Sequence, residues 1–376
     1  MSIAERYAAV VVGGGPAGLA TSAELRRRNI GHVVLERGGA AGHSWMHFYD
    51  SLTLHTGKHL STLPGLSFGR RVPMFPTRRD FVAYLHRYVE VLELPIETNS
   101  AVTALDRHGD AWMVRTAKGE VTARDVVVAT GIASQPRTPV VAGREEYRGR
   151  VMHSIDYRRP DGFAGRRVLV VGVGNSGGEI ASELAHAGAN VTVAVRSGAN
   201  VVPLQLAGVP IQYLAFAMRN LPIGARRGIA TAMGKLTELR RGKPVLPKPS
   251  HGVLDSIPLI GFHLVDAIRA GRVQVRTGLA EFTESGVRFT DGVQEPFDDV
   301  IFATGFTAAL APLGGLVRTD AKGFALRTDR VTSADQTNLY FVGHTYDATG
   351  GLYNISRDAG LAAERIAATS GARAAA

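Results

Sequence analysis

Short unbroken apolar runs, each ending at a glycine-rich turn, alternate with stretches of helical period along most of this chain. Val10-Val11-Val12 is the first run, and three β-branched residues with no polar alternation predict a buried parallel strand. Residues 17–28 follow as a helix, and His32-Val33-Val34-Leu35 reads as the next strand. The same order returns later: Arg167-Val168-Leu169-Val170-Val171 predicts a strand, a helix follows, and Asn190-Val191-Thr192-Val193-Ala194-Val195 predicts another strand. Asp125-Val126-Val127-Val128 and Asp299-Val300-Ile301-Phe302 are two further buried strands, each running into Ala-Thr-Gly. Residues 101–118 alternate apolar and polar around Gly109 and predict antiparallel strands, and an amphipathic helix follows the Phe75-Pro76 turn. Asn338-Leu339-Tyr340-Phe341-Val342 is a last strand ahead of a helix over 355–369. This alternation predicts an α/β fold containing two Rossmann-like domains.

The turns carry the chemistry. Gly13, Gly15 and Gly18 form GxGxxG where the first strand meets its helix. The first glycine permits the tight turn, the second lets backbone approach a pyrophosphate, and the third lets helix and strand pack closely. Pro16 and Ala17 open the helix, whose N–H groups and dipole meet phosphate charge without a lysine. Glu36, about 20 residues on, ends the second strand where an acid accepts from ribose hydroxyls. A ligand-free turn would explain a lone motif, but Gly172, Gly174 and Gly177 repeat the device, followed by Asn175 and Ser176. There the second strand ends at Arg196-Ser197. A guanidinium and a hydroxyl bind a 2′-phosphate that a carboxylate would repel, so this site should prefer NADP over NAD. Opposite ribose chemistry implies two different cofactors.

Composition narrows the classes. A chain of 376 residues is long enough for two domains, and with no cysteine it has neither disulfides, thiolate metal sites nor a CxxC redox pair. No metal site is expected. The net charge of +10 sits largely in local arginine clusters such as Arg26-Arg27-Arg28 and Arg240-Arg241. No aromatics interleave with them as a nucleic-acid platform requires, so nucleic acid is not an expected partner. No apolar run is long enough to span a bilayer and no charged-then-apolar leader precedes the first strand, which makes the cytoplasm the default compartment.

Several stretches are similar to one family. Gly42-His43-Ser44-Trp45, Leu54-His55-Thr56-Gly57-Lys58 and Phe75-Pro76-Thr77-Arg78-Arg79-Asp80-Phe81-Val82-Ala83-Tyr84-Leu85 resemble segments of the flavin-containing monooxygenases, in the branch that includes the YUCCA indole-pyruvate monooxygenases. Animal members carry asparagine where His55 stands. Tyr147-Arg148-Gly149-Arg150-Val151-Met152-His153-Ser154-Ile155-Asp156-Tyr157 resembles the class B monooxygenase fingerprint, with tyrosine for the first aromatic. His153, just ahead of the second glycine motif, suits fixing the linker better than touching substrate.

The resemblance implies a flavoprotein with two dinucleotide-binding domains and FAD and NADPH as cofactors, the NADPH domain (161–306) inserted into the FAD domain (1–160 and 307–376). It implies cofactor contacts from Gly13, Gly15, Pro16, Ala17, Gly18, Glu36, Arg37, Ser44, Trp45, His55, Thr56, Val102, Ala129, Thr130, Gly131, Gly172, Gly174, Asn175, Ser176, Gly177, Arg196, Ser197, Ala303, Thr304, Gly305, Gly343 and Leu352. His55, Asn175 and Ser176 are the polar groups expected near the reaction centre. The implied activity is insertion of one oxygen atom of O2 into a small organic substrate through a C4a-peroxyflavin, by N- or S-oxygenation or oxidative decarboxylation of a 2-oxo acid. An NADPH oxidase or diaphorase making hydrogen peroxide, and a non-catalytic redox sensor, are the alternatives. Residues 203–262 match the family least. Their basic helical stretch reads first as a substrate lid, then as a subunit interface in a homodimer, then as a membrane-surface helix.

Overall fold

The computed structural model describes residues 5–345, 347 and 349–374. Its contacts divide the chain into one unit of Met1–His47, Leu52–Gln135 and Phe306–Ala376, and a second of Phe48–Ser51 and Pro136–Gly305. The crossings expected at 160/161 and 306/307 therefore fall at 135/136 and 305/306. Arg150–His153 is the reason for the larger shift: it is a parallel strand hydrogen-bonded to Asp299–Phe302, and so part of the second sheet.

In the first unit a seven-stranded sheet runs in the order Ile96–Glu97, His32–Leu35, Glu5–Val12, Gly119–Val128, Ala111–Thr116, Val102–His108, and Leu339–Phe341 also pairs with Gly119–Val128. Gly119–Val128 serves three neighbours. It lies parallel to Glu5–Val12, pairs antiparallel with Ala111–Thr116 through its first half, and parallel with Leu339–Phe341 through its second. Only the second half is apolar on both faces, which is why the sequence pattern began the strand at Asp125. On one face, Leu19, Ala20 and Leu25 of the helix Pro16–Arg27 share a core with Ala359, Ala362, Ala363 and Ile366 of the helix Gly351–Ala374. Trp112, Val114 and Phe341 fill the other face. The helix Arg78–Val91 begins at a capping box: Asp80 N–H donates to the Thr77 hydroxyl at 3.2 Å and Thr77 N–H to the Asp80 carboxylate at 3.0 Å. The C-terminal helix starts four residues before the expected 355, because the Asn354 amide ties its first turn to Asp347 at 3.0 Å and to the Gly350 carbonyl at 3.1 Å.

The second unit is built on five parallel strands in the order Val273–Arg276, Asn190–Ala194, Arg167–Val171, Asp299–Phe302, Arg150–His153. Leu169, Val171, Val300 and Phe302 pack against Phe282, Val287 and Phe289 of a three-stranded antiparallel sheet. Within residues 203–262 the apolar stretch forms the short helix Ile211–Ala217, and the basic stretch forms the helix Ile223–Arg241. No residue of that longer helix is buried; Arg227–Asp255 (3.0 Å) and Arg241–Asp266 (2.8 Å) tie down its ends. Among the described residues, no helix is long and apolar enough to cross a membrane.

Candidate active site

The two glycine motifs fold into cradles of the same design, one in each unit. Gly13 has φ +108°, and a Cβ there would stand 2.6 Å from the Ala129 carbonyl oxygen; Gly172 has φ +104° and the same 2.6 Å to the Ala303 oxygen. Both positions exclude a side chain twice over, by torsion and by space. A Cβ on Gly18 would lie 1.8 Å from the Gly13 oxygen and one on Gly177 2.1 Å from the Gly172 oxygen, so the third glycine sets the helix onto the turn. Gly15 and Gly174, between them, face open space. Each is the N-cap of its helix, with no side-chain cap and no acid in the first turn. Each positive helix end therefore opens onto free space at its N-cap glycine, which fits a pyrophosphate in both units.

The repeated Ala-Thr-Gly now has a physical meaning: in each unit its alanine carbonyl is the wall against which the first glycine lies. The Thr130 hydroxyl donates to the Ala309 carbonyl at 2.9 Å, and the Thr304 hydroxyl donates to the Arg137 carbonyl while the Thr304 carbonyl accepts from the Arg137 guanidinium at 3.0 Å. Gly131 and Gly305 turn the chain with φ +81° and +82°.

The strand tips differ between the two units. Glu36 is buried and accepts from Gly14 N–H at 2.6 Å and from Gly38 N–H at 2.7 Å, so the acid expected on a ribose also braces the cradle. Arg196 and Ser197 are exposed. Arg37 reaches the Ser44 hydroxyl at 3.4 Å, and Trp45 packs edge-on against Phe81 with ring centroids 4.5 Å apart. Thr56 hydrogen-bonds Ser61 at 2.6 Å, next to a half-buried His55. Val102 opens the outer antiparallel strand, and Leu352 is buried in the first turn of the C-terminal helix. Gly343 has φ +84°, and a Cβ there would come within 2.9 Å of the Ala17 side chain, bringing this turn against the first cradle.

Two residues expected near the reaction centre are engaged inside the second unit. The Asn175 amide donates to the Pro258 carbonyl at 3.3 Å and accepts from Ile260 N–H at 2.8 Å, so it fastens the strand Leu259–Ile260 to the helix start. Ser176 hydrogen-bonds Tyr49. His153 is held by backbone on both sides: Ile155 N–H lies 3.2 Å from Nδ1, which must accept, so Nε2 carries the proton and donates to the Gly305 carbonyl at 3.1 Å. Burial lowers its pKa and keeps the ring neutral. Sequence reasoning passed over His344. It is 4% exposed, and neither ring nitrogen has a hydrogen-bond partner among the described residues. Its place directly after Gly343, at the carboxyl end of a sheet strand, was the available signal.

In each unit a glycine cradle lies at the carboxyl ends of parallel strands, in a mixed sheet in the first unit and an all-parallel one in the second, the arrangement of an oxidoreductase with two dinucleotide-binding domains. The chain belongs to the pyridine nucleotide-disulphide oxidoreductase family, whose model matches residues 10–204, and within it to the YUCCA-like flavin monooxygenases. It is 36% identical over 309 residues to the indole-3-pyruvate monooxygenase YUCCA1 of Oryza sativa subsp. japonica, covering 79% of this chain and 76% of that one. Against the probable indole-3-pyruvate monooxygenase YUCCA8 of Arabidopsis thaliana it is 32% identical over 381 residues, 95% of this chain and 88% of that one. A doubly substituted flavin monooxygenase from Stenotrophomonas maltophilia superposes with a TM-score of 0.79 at 26% identity, over 97% of this chain and 99% of that one. Cyclohexanone monooxygenase from Rhodococcus sp. Phi1 shares the fold, with a TM-score of 0.75 at 19% identity over 98% of this chain and 85% of that one. The chain is thus an enzyme, a flavin-dependent monooxygenase that uses a nicotinamide cofactor and a small substrate. Without cysteine it has no thiol pair for the disulphide chemistry in the wider family's name.

Proposed function

We propose that this enzyme holds FAD in its first unit, takes electrons from NADPH bound to its second, and oxygenates a small 2-oxo acid. The contrast between an acid-tipped cradle at Glu36 and a basic-tipped one at Arg196 and Ser197 carries the cofactor assignment. Relatives that act on indole-3-pyruvate, by their names, support the substrate class. When bound, the nicotinamide supplies hydride and the flavin supplies the means to activate O2.

The chain's own part is to seat and orient. Gly13, Gly15, Pro16, Ala17 and Gly18 admit the FAD pyrophosphate, Glu36 accepts from its ribose, and Arg37, Ser44, Trp45, His55, Thr56, Val102, the 129–131 turn, Gly343 and Leu352 line the remainder. Gly172, Gly174, Ser176 and Gly177 seat the NADPH pyrophosphate, and Arg196 with Ser197 holds its 2′-phosphate. Asn175 and the 303–305 turn fix that cradle. The open helix ends keep two fixed dipoles on the phosphates, so no lysine is needed.

Purified enzyme supplied with NADPH and O2 provides the test. Indole-3-pyruvate or phenylpyruvate should yield the decarboxylated acid in about one-to-one ratio with NADPH consumed. Hydrogen peroxide as the sole product with every 2-oxo acid offered would overturn the substrate assignment, and a colourless protein that takes up no FAD would overturn the first-unit assignment.

A further inference from the structure

We propose that Tyr49 is a positioning residue for the second cradle: its phenol holds the Glu179 carboxylate back from the anion seat at Gly174. The role rests on the reading of that seat as the NADPH site. Phe48–Ser51 belongs by its contacts to the second unit, although the chain on either side belongs to the first. Tyr49 is 3% exposed, its hydroxyl donates to Glu179, and the Ser176 hydroxyl bonds the phenol oxygen. Asp50 N–H donates to the Arg158 carbonyl at 2.8 Å and fixes the next residue.

Glu179 stands in the helix Asn175–His186, about one turn from its open start. A carboxylate there opposes the two charges that the helix dipole attracts, and the effect is strong because the helix start holds no lysine or arginine to offset it. A charge-assisted bond to a buried phenol draws that carboxylate to one side and spreads its charge. Burial first, and then the Glu179 charge, holds the phenol's pKa well above its ordinary value, so it remains a donor across the working pH range. The neighbouring pair supplies a control. Tyr157 donates to Glu183 at 2.8 Å, one turn farther from the seat, with its ring 6.4 Å from that of Tyr49.

The experiment is equilibrium titration of the flavin-loaded enzyme with NADP+ by calorimetry, with flavin content and melting temperature measured alongside. Tyr49→Phe should weaken NADP+ about tenfold, the scale of one hydrogen bond to a charged group. Tyr49→Phe combined with Glu179→Gln should return affinity to within about threefold of the parent, and Tyr157→Phe should stay within about threefold. A purely structural role would lower the melting temperature of Tyr49→Phe without rescue of affinity by the neutral amide. Parent-like affinity in Tyr49→Phe, equal weakening by Tyr157→Phe, or a double variant as weak as the single one overturns the proposal. Should Tyr49→Phe fail to fold, Tyr49→His and Tyr49→Leu take its place, each alone and each with Glu179→Gln, and the same comparison of single with double variant decides. A parent enzyme that binds flavin but no NADP+ removes the cofactor reading itself.

Discussion

A side chain on Gly18 would stand 1.8 Å from the carbonyl oxygen of Gly13, whereas Gly15, between them in sequence, has nothing within 4 Å of such an atom. Two kinds of glycine therefore share one motif: those that the fold itself requires, and one at which the protein leaves room for a side chain and the proposed ligand would not. Gly15→Val should melt like the flavin-stripped parent and Gly174→Val like the flavin-loaded parent, and each should lose one cofactor. Gly15→Val is expected to purify soluble and colourless, and Gly174→Val yellow but not reduced by NADPH. Absorbance spectra and anaerobic reduction check both; a yellow Gly15→Val protein would contradict the first seat.

Arg196 is exposed at the end of the strand Asn190–Ala194. If its guanidinium meets the 2′-phosphate, Arg196→Ala should raise KM for NADPH at least about tenfold, a loss of about 1.4 kcal/mol or more, and leave KM for NADH nearly unchanged. Steady-state kinetics with both nucleotides decides. Equal effects on the two would reject the contact.

His153 satisfies two backbone groups, the N–H of Ile155 and the carbonyl of Gly305, from a side chain that is 5% exposed. His153→Ala strands both, at an expected cost of about 2–3 kcal/mol. Urea unfolding should show this loss, while the preference for NADPH over NADH stays at the parent ratio. A shifted ratio would give the fingerprint histidine a part in nucleotide choice.

His344 gives a pH test. Burial, followed by the nearby Arg327 charge, pushes its pKa down to about 4, whereas an unfolded chain titrates histidine near 6.5. Between these values the unfolded state binds more protons. The neutral ring's contribution is thus complete above about pH 6.5 and is lost as pH falls toward about 4, at up to about 1.4 kcal/mol per pH unit. His344→Leu, set between Phe324 and Phe341, should lack this slope. The stability difference between parent and variant, from urea unfolding at about pH 7 and about pH 4.5, should move in the variant's favour in acid. The other histidines cancel in that difference.

Period and punctuation along the chain determined the strands that flank the two cradles, the cradles themselves and the identity of the tip residues Glu36 and Arg196. These rest on local rules: a two-sided apolar run has to be buried, and a strand that turns into a helix over a phosphate needs glycines at fixed spacing. The early half of Gly119–Val128 and the first turn of Gly351–Ala374 escaped that reading, because neighbours distant in sequence hold the one and an asparagine's hydrogen bonds hold the other. Only the tertiary structure decided where the chain passes from one unit to the other, since the strand Arg150–His153 declares its sheet through its partner Asp299–Phe302. It also decided what Asn175, Ser176 and His153 touch, and it brought Tyr49 to Glu179, which lies 130 residues later in the chain. A side chain's partner across such a separation depends on packing, and no local pattern encodes it.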